Sequence, residues 1–196
     1  MRQLLLRNLH DGPCLVARNY VGDPSHHPRR HQVFCDVTPR AVQNFLGHCA
    51  TGTYNDVKWH RNIKSFMIQT GDPTGTGKGG RSIWGKPFPD EIRSQLKFDR
   101  RSIVACANAG PDTNKSQFFI TYAKQPHLDG KYTIIEKVID GAEDGRTLDV
   151  MESVPVDAKN RPTSEIRMMG VTIHANPIAR RHDHSRKDSS CQCRVD

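Results

Sequence analysis

The sequence lacks any long apolar run. Its 196 residues are 35% hydrophobic and 26% charged, and no stretch approaches the roughly 18 consecutive apolar residues that a membrane-spanning helix needs. Residues 1–7 have too short an apolar centre, and no small-residue cleavage site, to match a secretory leader. We therefore expect no membrane association, and a single domain with enough chain to bury a core.

The cysteines also lack the spacing of a disulfide framework. The six cysteines are scattered, so without a leader they are expected to be free thiols in a reducing compartment. Histidine-rich stretches lie at residues 26–31 and 182–184, and two cysteines follow at 191 and 193. Because no ligands in the first stretch have zinc-finger spacing, solvated or disordered chain is favoured over a zinc site in both places. We assign no metal and no other cofactor.

A nucleotide-binding loop is absent as well. Residues 75–80 match G-x-G-x-x-G, but Gly85 and Pro87 follow where a helix would be required. Lys78 is followed by Gly79 rather than by Ser or Thr, which excludes a Walker A loop. We interpret this segment as a flexible loop on the rim of a site.

Acidic residues are outnumbered, and the net charge is +8. The excess lies disproportionately in residues 1–32 and 178–196. Basic ends can attract RNA, but the chain lacks the aromatic and basic signatures of RNA-binding modules. We therefore favour solvated basic ends and expect no direct nucleic-acid binding. An RNA-binding protein ranks behind the two interpretations given below.

Two segments, residues 59–73 and 107–121, carry the residues that point to a function. Each contains a short apolar run, at 66–68 and 118–120, that predicts a buried strand. The segments offer an arginine, a glutamine, aromatics and a methionine, without a catalytic triad or metal-ligand spacing. Such a set suits a reaction that needs a dry pocket and one oriented cation. Rotation about an X-Pro bond is one, because its barrier of about 18–20 kcal/mol comes from amide resonance.

These segments resemble the two signature segments of the cyclophilins. The first contains W-H-R and F-M-I-Q-T-G-D-P, and the second is A-N-A-G-P-D-T-N-K-S-Q-F-F-I-T. Q-P-H-L-D-G-K-Y and V-T-I-H-A-N-P follow, so the resemblance covers residues 33–177 and is greatest to the short, spliceosome-associated type. It implies a monomeric peptidyl-prolyl cis-trans isomerase that acts on proline-containing segments of protein clients.

The resemblance also implies clients and a location. Spliceosomal proteins would be among the partners, and the protein would be found in the nucleus, the cytoplasm or both. The main alternative is a non-catalytic module that binds proline segments in a nuclear ribonucleoprotein assembly. The presence of Arg61 favours the enzyme, since binding alone does not need an oriented cation at the amide.

The fold that the resemblance implies is mainly β, an eight-stranded antiparallel barrel capped by two helices with a proline groove outside. Catalysis would fall to Arg61, whose guanidinium contacts the substrate carbonyl or prolyl nitrogen, together with Gln69. The substrate-binding residues would be Phe66, Met67, Ala107, Asn108, Phe119, His127, Leu128 and Tyr132. Neighbours on a strand point to opposite faces, so one of Phe118 and Phe119 should face the barrel interior and the other the groove. The resemblance assigns the groove to Phe119.

Several positions depart from the wider family pattern. His127 stands where many cyclophilins have Trp, and Tyr132 stands where many have His. These two differences chiefly concern the binding of cyclosporin-like ligands. Ser65 and Lys115 replace glycines, and this matters only where the backbone needs a positive φ. Glu136 lies inside a predicted strand, so its carboxylate must find a partner or reach solvent.

Two helices and the last strand complete the domain. Thr38 and Pro39 predict a helix with Thr38 as its N-cap, and Gly52 predicts its end. A second helix is expected near residues 147–152, and a final strand over residues 166–174.

The two ends of the chain are predicted to be irregular. Residues 1–32 are the least family-like, because only 4–6 and 14–17 are apolar enough for strands and the prolines in 24–30 cannot continue a central strand. We expect residues 1–32 to be partly disordered and to pair incompletely, with a partly open seam beside residues 33–35. Residues 178–196 are expected to form a disordered basic tail.

Overall fold

The computed structural model of the chain describes residues 2–5, 15–20, 31–33, 37–138 and 147–173. In these ranges the strands are β1 (Arg2–Leu5), β2 (Leu15–Tyr20), β3 (His31–Val33), β4 (Val57–Lys58), β5 (Arg61–Ile63), β6 (Met67–Thr70), β7 (Ile103–Cys106), β8 (Phe118–Thr121), β9 (Ile134–Val138) and β10 (Arg167–Ile173). The helices are α1 (Pro39–Ala50) and α2 (Thr147–Ser153), and a 3-10 turn spans Pro126–Leu128. No helix in the described part of the chain is long and apolar enough to cross a membrane.

The strands form two antiparallel sheets that one segment of the chain joins. The first sheet has the order β1-β2-β10-β4, and the second has the order β3-β9-β7-β8-β6-β5. Between β4 and β5, the Trp59 N–H donates to the Ile166 carbonyl at 2.9 Å and the His60 N–H donates to the Gln69 carbonyl at 3.2 Å. Backbone pairing therefore continues from one sheet into the other. The predicted mainly β fold with two helices is confirmed.

Because the segment from β4 to β5 joins the two sheets, β1 and β3 are the strands that form the two remaining edges among the described strands. β1 pairs with β2, β2 pairs with β10, and β3 pairs with β9. A closed barrel would need one further ladder, between β1 and β3. Residues 6–14, 21–30, 34–36 and 174–196 lie outside the described residues, so the predictions for the N-terminal segment and the tail stay predictions.

Helix α1 begins where the sequence predicts, but it is capped by a different residue. Thr38 occupies the N-cap and Pro39 the first turn. The Thr38 side chain makes no capping hydrogen bond, and its hydroxyl donates to the Ile134 carbonyl at 2.9 Å. The Glu91 carboxylate instead accepts from two N–H groups of the first turn at 3.2 and 2.8 Å, which satisfies donors that have no partner within the helix.

Two apolar clusters lie on the two sides of the second sheet. The inner cluster packs both helices against the sheet and contains Phe45, Leu148 and Phe118. The outer cluster contains Phe98, Phe119 and their neighbours. Phe118 and Phe119 fall in different clusters because successive side chains on a strand alternate. The predicted facing of this pair is confirmed.

Two departures from the family pattern have visible consequences. Ser65 has a φ of 60°, in the left-handed region that favours glycine, whereas Lys115 does not have a positive φ. Glu136 is fully buried. Its carboxylate therefore does not reach solvent, which was one of the two expected ways to accommodate it. Burial raises the pKa of Glu136 well above its ordinary value, which favours the neutral acid in the interior.

Candidate active site

The register of two ladders places the predicted groove residues in one row. Arg61 lies opposite Gln69 between β5 and β6, and Gln69 lies opposite Phe119 between β6 and β8. Residues directly opposite each other in an antiparallel pair project to the same face. Met67 shares that face because it lies two residues before Gln69 on the same strand.

A cavity of about 250 Å³ opens along this row. Its lining residues are Arg61, Phe66, Met67, Gln69, Ala107, Asn108, Phe119, Leu128 and Tyr132. All of them belong to the set predicted from the sequence, and they come from segments that are far apart along the chain. Every predicted site residue except His127 therefore lines this one cavity.

The apolar wall of the cavity is firmly packed. Met67, Phe119 and Leu128 are all buried. Phe98 stacks on Phe119 with ring centroids 6.0 Å apart, and Tyr132 meets the same ring edge-on at 5.5 Å. The sequence motifs did not indicate Phe98, which lies outside both signature segments. A packed apolar wall of this kind suits a small apolar group such as a proline ring.

His127 contacts Phe66, one of the lining residues of the cavity. Its ring stacks on Phe66 with centroids 5.7 Å apart and an interplanar angle of 27°. It is exposed and is not among the lining residues, so its role in substrate binding stays a prediction. Its contact restrains the orientation of Phe66.

The cation of the cavity is Arg61. Its side chain is exposed, and within the described residues its guanidinium has no ion-pair or hydrogen-bond partner. A guanidinium stays charged at any physiological pH and presents its donors in a rigid fork. Its donors are therefore available to a ligand in the cavity.

Gln69 is held in place by a glutamine that the sequence reasoning missed. The Gln69 side-chain amide donates to the Gln117 Oε1 at 2.8 Å. Gln117 in turn donates to the carbonyls of Gly77 and Gly79 at 3.1 and 2.8 Å. Gln117 lies two residues before Phe119, and this spacing alone could have placed it on the groove side.

The loop that Gln117 contacts is anchored by Asp72. Its carboxylate accepts from the backbone N–H groups of Thr74, Thr76, Gly77 and Gly79 at 2.7–3.1 Å. Burial opposes ionisation here, but the hydrogen bond from the Thr74 hydroxyl at 2.8 Å and those from the backbone outweigh it and lower the pKa of Asp72 to about 2. The segment predicted as a rim loop does lie beside the cavity, and an ionised carboxylate organises it.

The backbone at residues 107–108 is fixed from both sides. The Ala107 N–H donates to the Gln117 carbonyl at 2.9 Å. The Asn108 amide approaches the Asp90 carboxylate at 3.4 Å, and Asp90 also accepts from the Asn114 amide at 2.7 Å. This stretch can therefore offer a preformed surface to an extended peptide.

Comparison with known proteins places this geometry in a family. A profile of the family "Cyclophilin type peptidyl-prolyl cis-trans isomerase/CLD" matches residues 30–173. A Mycosarcoma maydis protein named peptidyl-prolyl cis-trans isomerase-like 3 is 89% identical over 148 residues, which cover 76% of this chain and 88% of that protein. A Homo sapiens protein of the same name is 58% identical over 149 residues, covering 76% of this chain and 91% of that protein.

A solved structure agrees with the sequence relatives. The crystal structure of a Cryptosporidium parvum cyclophilin type peptidyl-prolyl cis-trans isomerase has a TM-score of 0.71 and 46% sequence identity, covering 76% of this chain and 93% of that one. A second structure of that protein was obtained in the presence of the dipeptide Ala-Pro, with the same TM-score. The resemblance seen in the sequence is confirmed, and the chain belongs to the cyclophilin-type peptidyl-prolyl cis-trans isomerases.

Proposed function

We propose that the cavity accelerates rotation about X-Pro bonds with Arg61 as its catalytic group. The observation that carries this proposal is that Arg61 shares one cavity with the apolar wall formed by Phe119 and Leu128. The proline ring occupies the apolar part of the slot. The prolyl amide then lies within reach of the guanidinium.

The chemistry follows from the origin of the barrier. Twisting the amide breaks its resonance, and the lone pair then localises on the prolyl nitrogen. A guanidinium that donates to this nitrogen, or to the adjacent carbonyl, stabilises the twisted state more than the planar one. A stabilisation of about 5–7 kcal/mol would shorten the step from tens of seconds to milliseconds. No covalent bond forms or breaks, so the step needs no base or nucleophile.

The remaining lining residues hold the peptide. Gln69 can donate to or accept from the substrate backbone, and its bond to Gln117 fixes its orientation. The backbone at Ala107 and Asn108 supports the neighbouring residues of the peptide. Holding the flanking residues limits rotation to the X-Pro bond, which reduces the entropy cost of reaching the twisted state.

A protease-coupled assay on a short X-Pro peptide tests the proposal. We expect Arg61→Ala to lower kcat/KM by about 30- to 1000-fold, equivalent to about 2–4 kcal/mol for one preorganised donor. Its unfolding midpoint should stay near that of the wild type, because the side chain is exposed. Arg81→Ala removes an exposed arginine that does not line the cavity, and is the matched control. Unchanged catalysis in folded Arg61→Ala would remove the proposed mechanism.

For partners, the proposal is that the clients include spliceosomal proteins, met in the nucleus, the cytoplasm or both. It is supported by the sequence resemblance to the spliceosome-associated type and by the 89% identity to a relative named isomerase-like 3. Affinity purification of the tagged chain, followed by mass spectrometry, should recover splicing factors. If no splicing factors are recovered, the proposal that spliceosomal proteins are clients is wrong, and the isomerase proposal is unaffected.

The alternative proposal is a module that binds proline segments without turnover. The features that support it are Gln69 and residues 107–108, which can hold a peptide whether or not its bond rotates. Calorimetric binding of an X-Pro peptide, measured beside the isomerase assay, separates the two. Binding without turnover would favour the module.

A further inference from the structure

A second cavity, of about 490 Å³, lies beside the proline-binding cavity. It is lined by Gln69, Gly77, Lys78, Gly79, Pro87, Ala107, Asn108, Ala109, Thr113, Lys115 and Gln117. Gln69, Ala107 and Asn108 line both cavities. A peptide whose proline occupies the first cavity can therefore extend a nearby side chain into the second.

The charged residues of this second lining are two lysines and no acid. Lys78 lies on the loop that Asp72 anchors, and Lys115 belongs to the second signature segment. Within the described residues neither ammonium forms a salt bridge, and neither side chain is buried. Two cations that share one cavity repel each other, and an anion placed between them relieves that repulsion.

Three carboxylates on or next to the segments that line the cavity are engaged elsewhere. Asp72 accepts from the loop N–H groups, as described above, and so faces into its own loop. Asp90 accepts from the Asn114 amide at 2.7 Å and from the Asp112 N–H at 2.9 Å. The Asp112 carboxylate accepts from the Asp90 N–H at 2.8 Å. None of the three lines the cavity, so the lysines dominate its charge.

From this arrangement we infer that Lys78 and Lys115 make the second cavity a specificity site for an anionic side chain, carboxylate or phosphoryl, near the target proline. The inference rests on the proposed isomerase function and adds the substrate class. Both anions accept hydrogen bonds from an ammonium, and a phosphoryl group carries the larger charge.

The test uses one X-Pro peptide in which a single position carries Gln, Glu, phosphoserine or Lys. That position is scanned along the residues on either side of the proline. At one position, Glu should raise kcat/KM about three- to tenfold over Gln, the scale of partly exposed ion pairs. Phosphoserine should raise it at least as much, and Lys should lower it. The gain should shrink at high salt because the site is open to solvent.

Variants assign the preference to the two lysines. In Lys78→Gln/Lys115→Gln the ratio of Glu to Gln peptide should fall to about one. Lys124→Gln removes an exposed lysine that lines neither cavity, and it should keep the wild-type ratio. A preference that survives in the double variant would overturn the assignment.

Peptide affinity measured by calorimetry keeps this test separate from the proposed function. The same Glu preference is expected in Kd, whether or not the bond turns over. If the Gln peptide is turned over but no position prefers Glu in kcat/KM or Kd, the inference is wrong and the isomerase stands. If no peptide is turned over while Kd still prefers Glu, the isomerase proposal fails and the anionic site stands.

Discussion

Truncating either of two neighbouring phenylalanines should damage different properties of the protein. Phe118 is 4% exposed and Phe119 is 5% exposed, so burial alone does not distinguish them. The Phe118 ring packs edge-on against Phe45 at 5.2 Å and against Trp59 at 5.9 Å, inside the closed inner cluster. Phe119 instead forms part of the wall of an open cavity.

The expected magnitudes follow from these surroundings. Phe118→Ala leaves a cavity in a closed core, which typically costs about 3–5 kcal/mol, and it loses edge-to-face contacts worth about 0.5–1.5 kcal/mol each. The summed loss is comparable to the whole free energy of unfolding of many domains. Phe119→Ala enlarges a space that water already reaches, so we expect a cost of about 1–3 kcal/mol. Its main effect should be on proline binding, weakened about tenfold for roughly 1.4 kcal/mol of lost contact.

Three measurements on each variant check this reasoning. Urea unfolding gives the free energy of unfolding, calorimetry gives the Kd of an X-Pro peptide, and the protease-coupled assay gives turnover below the unfolding midpoint. Phe118→Ala should lose stability while its folded fraction binds peptide nearly normally. Phe119→Ala should stay folded while binding and turnover fall together. The reverse pattern, or equal losses of both properties in both variants, would refute the assignment of the two faces.

Two further predictions concern the backbone. Ser65→Gly should raise the free energy of unfolding by about 0.5–1 kcal/mol, because serine at a φ of 60° is strained. Ser94→Gly, at an exposed turn without a positive φ, should lower it, and equal effects of the two changes in urea unfolding would contradict the strain argument. In the N-terminal segment, the amides of residues 3–7 and 14–18 should exchange faster than those of residues 66–69, because β1 is an edge of the described sheets and β2 is covered on one side by β1 alone. Equal protection in hydrogen exchange would show that no open seam exists there.

Much of the cavity could be predicted because its residues are concentrated in a few recognisable segments. Phe66, Met67 and Gln69 are neighbours in one motif. Alternation along a strand puts Phe118 and Phe119 on opposite faces, and the resemblance assigns Phe119 to the groove. These inferences need only local periodicity and a family resemblance. For the same reason, the start of helix α1 could be read from Thr38 and Pro39.

The features that the sequence did not reveal depend on contacts between distant segments. The bond from Gln117 to the Gly77 carbonyl joins residues 40 positions apart, and no periodic pattern encodes it. Glu91 replaces Thr38 as the cap of α1 because the fold brings it there from 50 positions away. Phe98 supports the cavity wall from outside any motif. Each is a tertiary contact that competes with, or adds to, the local preference.

The active site and the inner core depend on the same strand register. Arg61, Gln69 and Phe119 share a face only because the β5–β6 and β6–β8 ladders pair at these positions. A slip of one residue would turn Gln69 inward and bring Ile68 to the groove, since side chains alternate. Ile68 is fully buried in the inner cluster, so such a slip would expose it and bury a polar amide. The packing of the inner face therefore fixes the register, and the register in turn holds the cation of the groove beside its apolar wall.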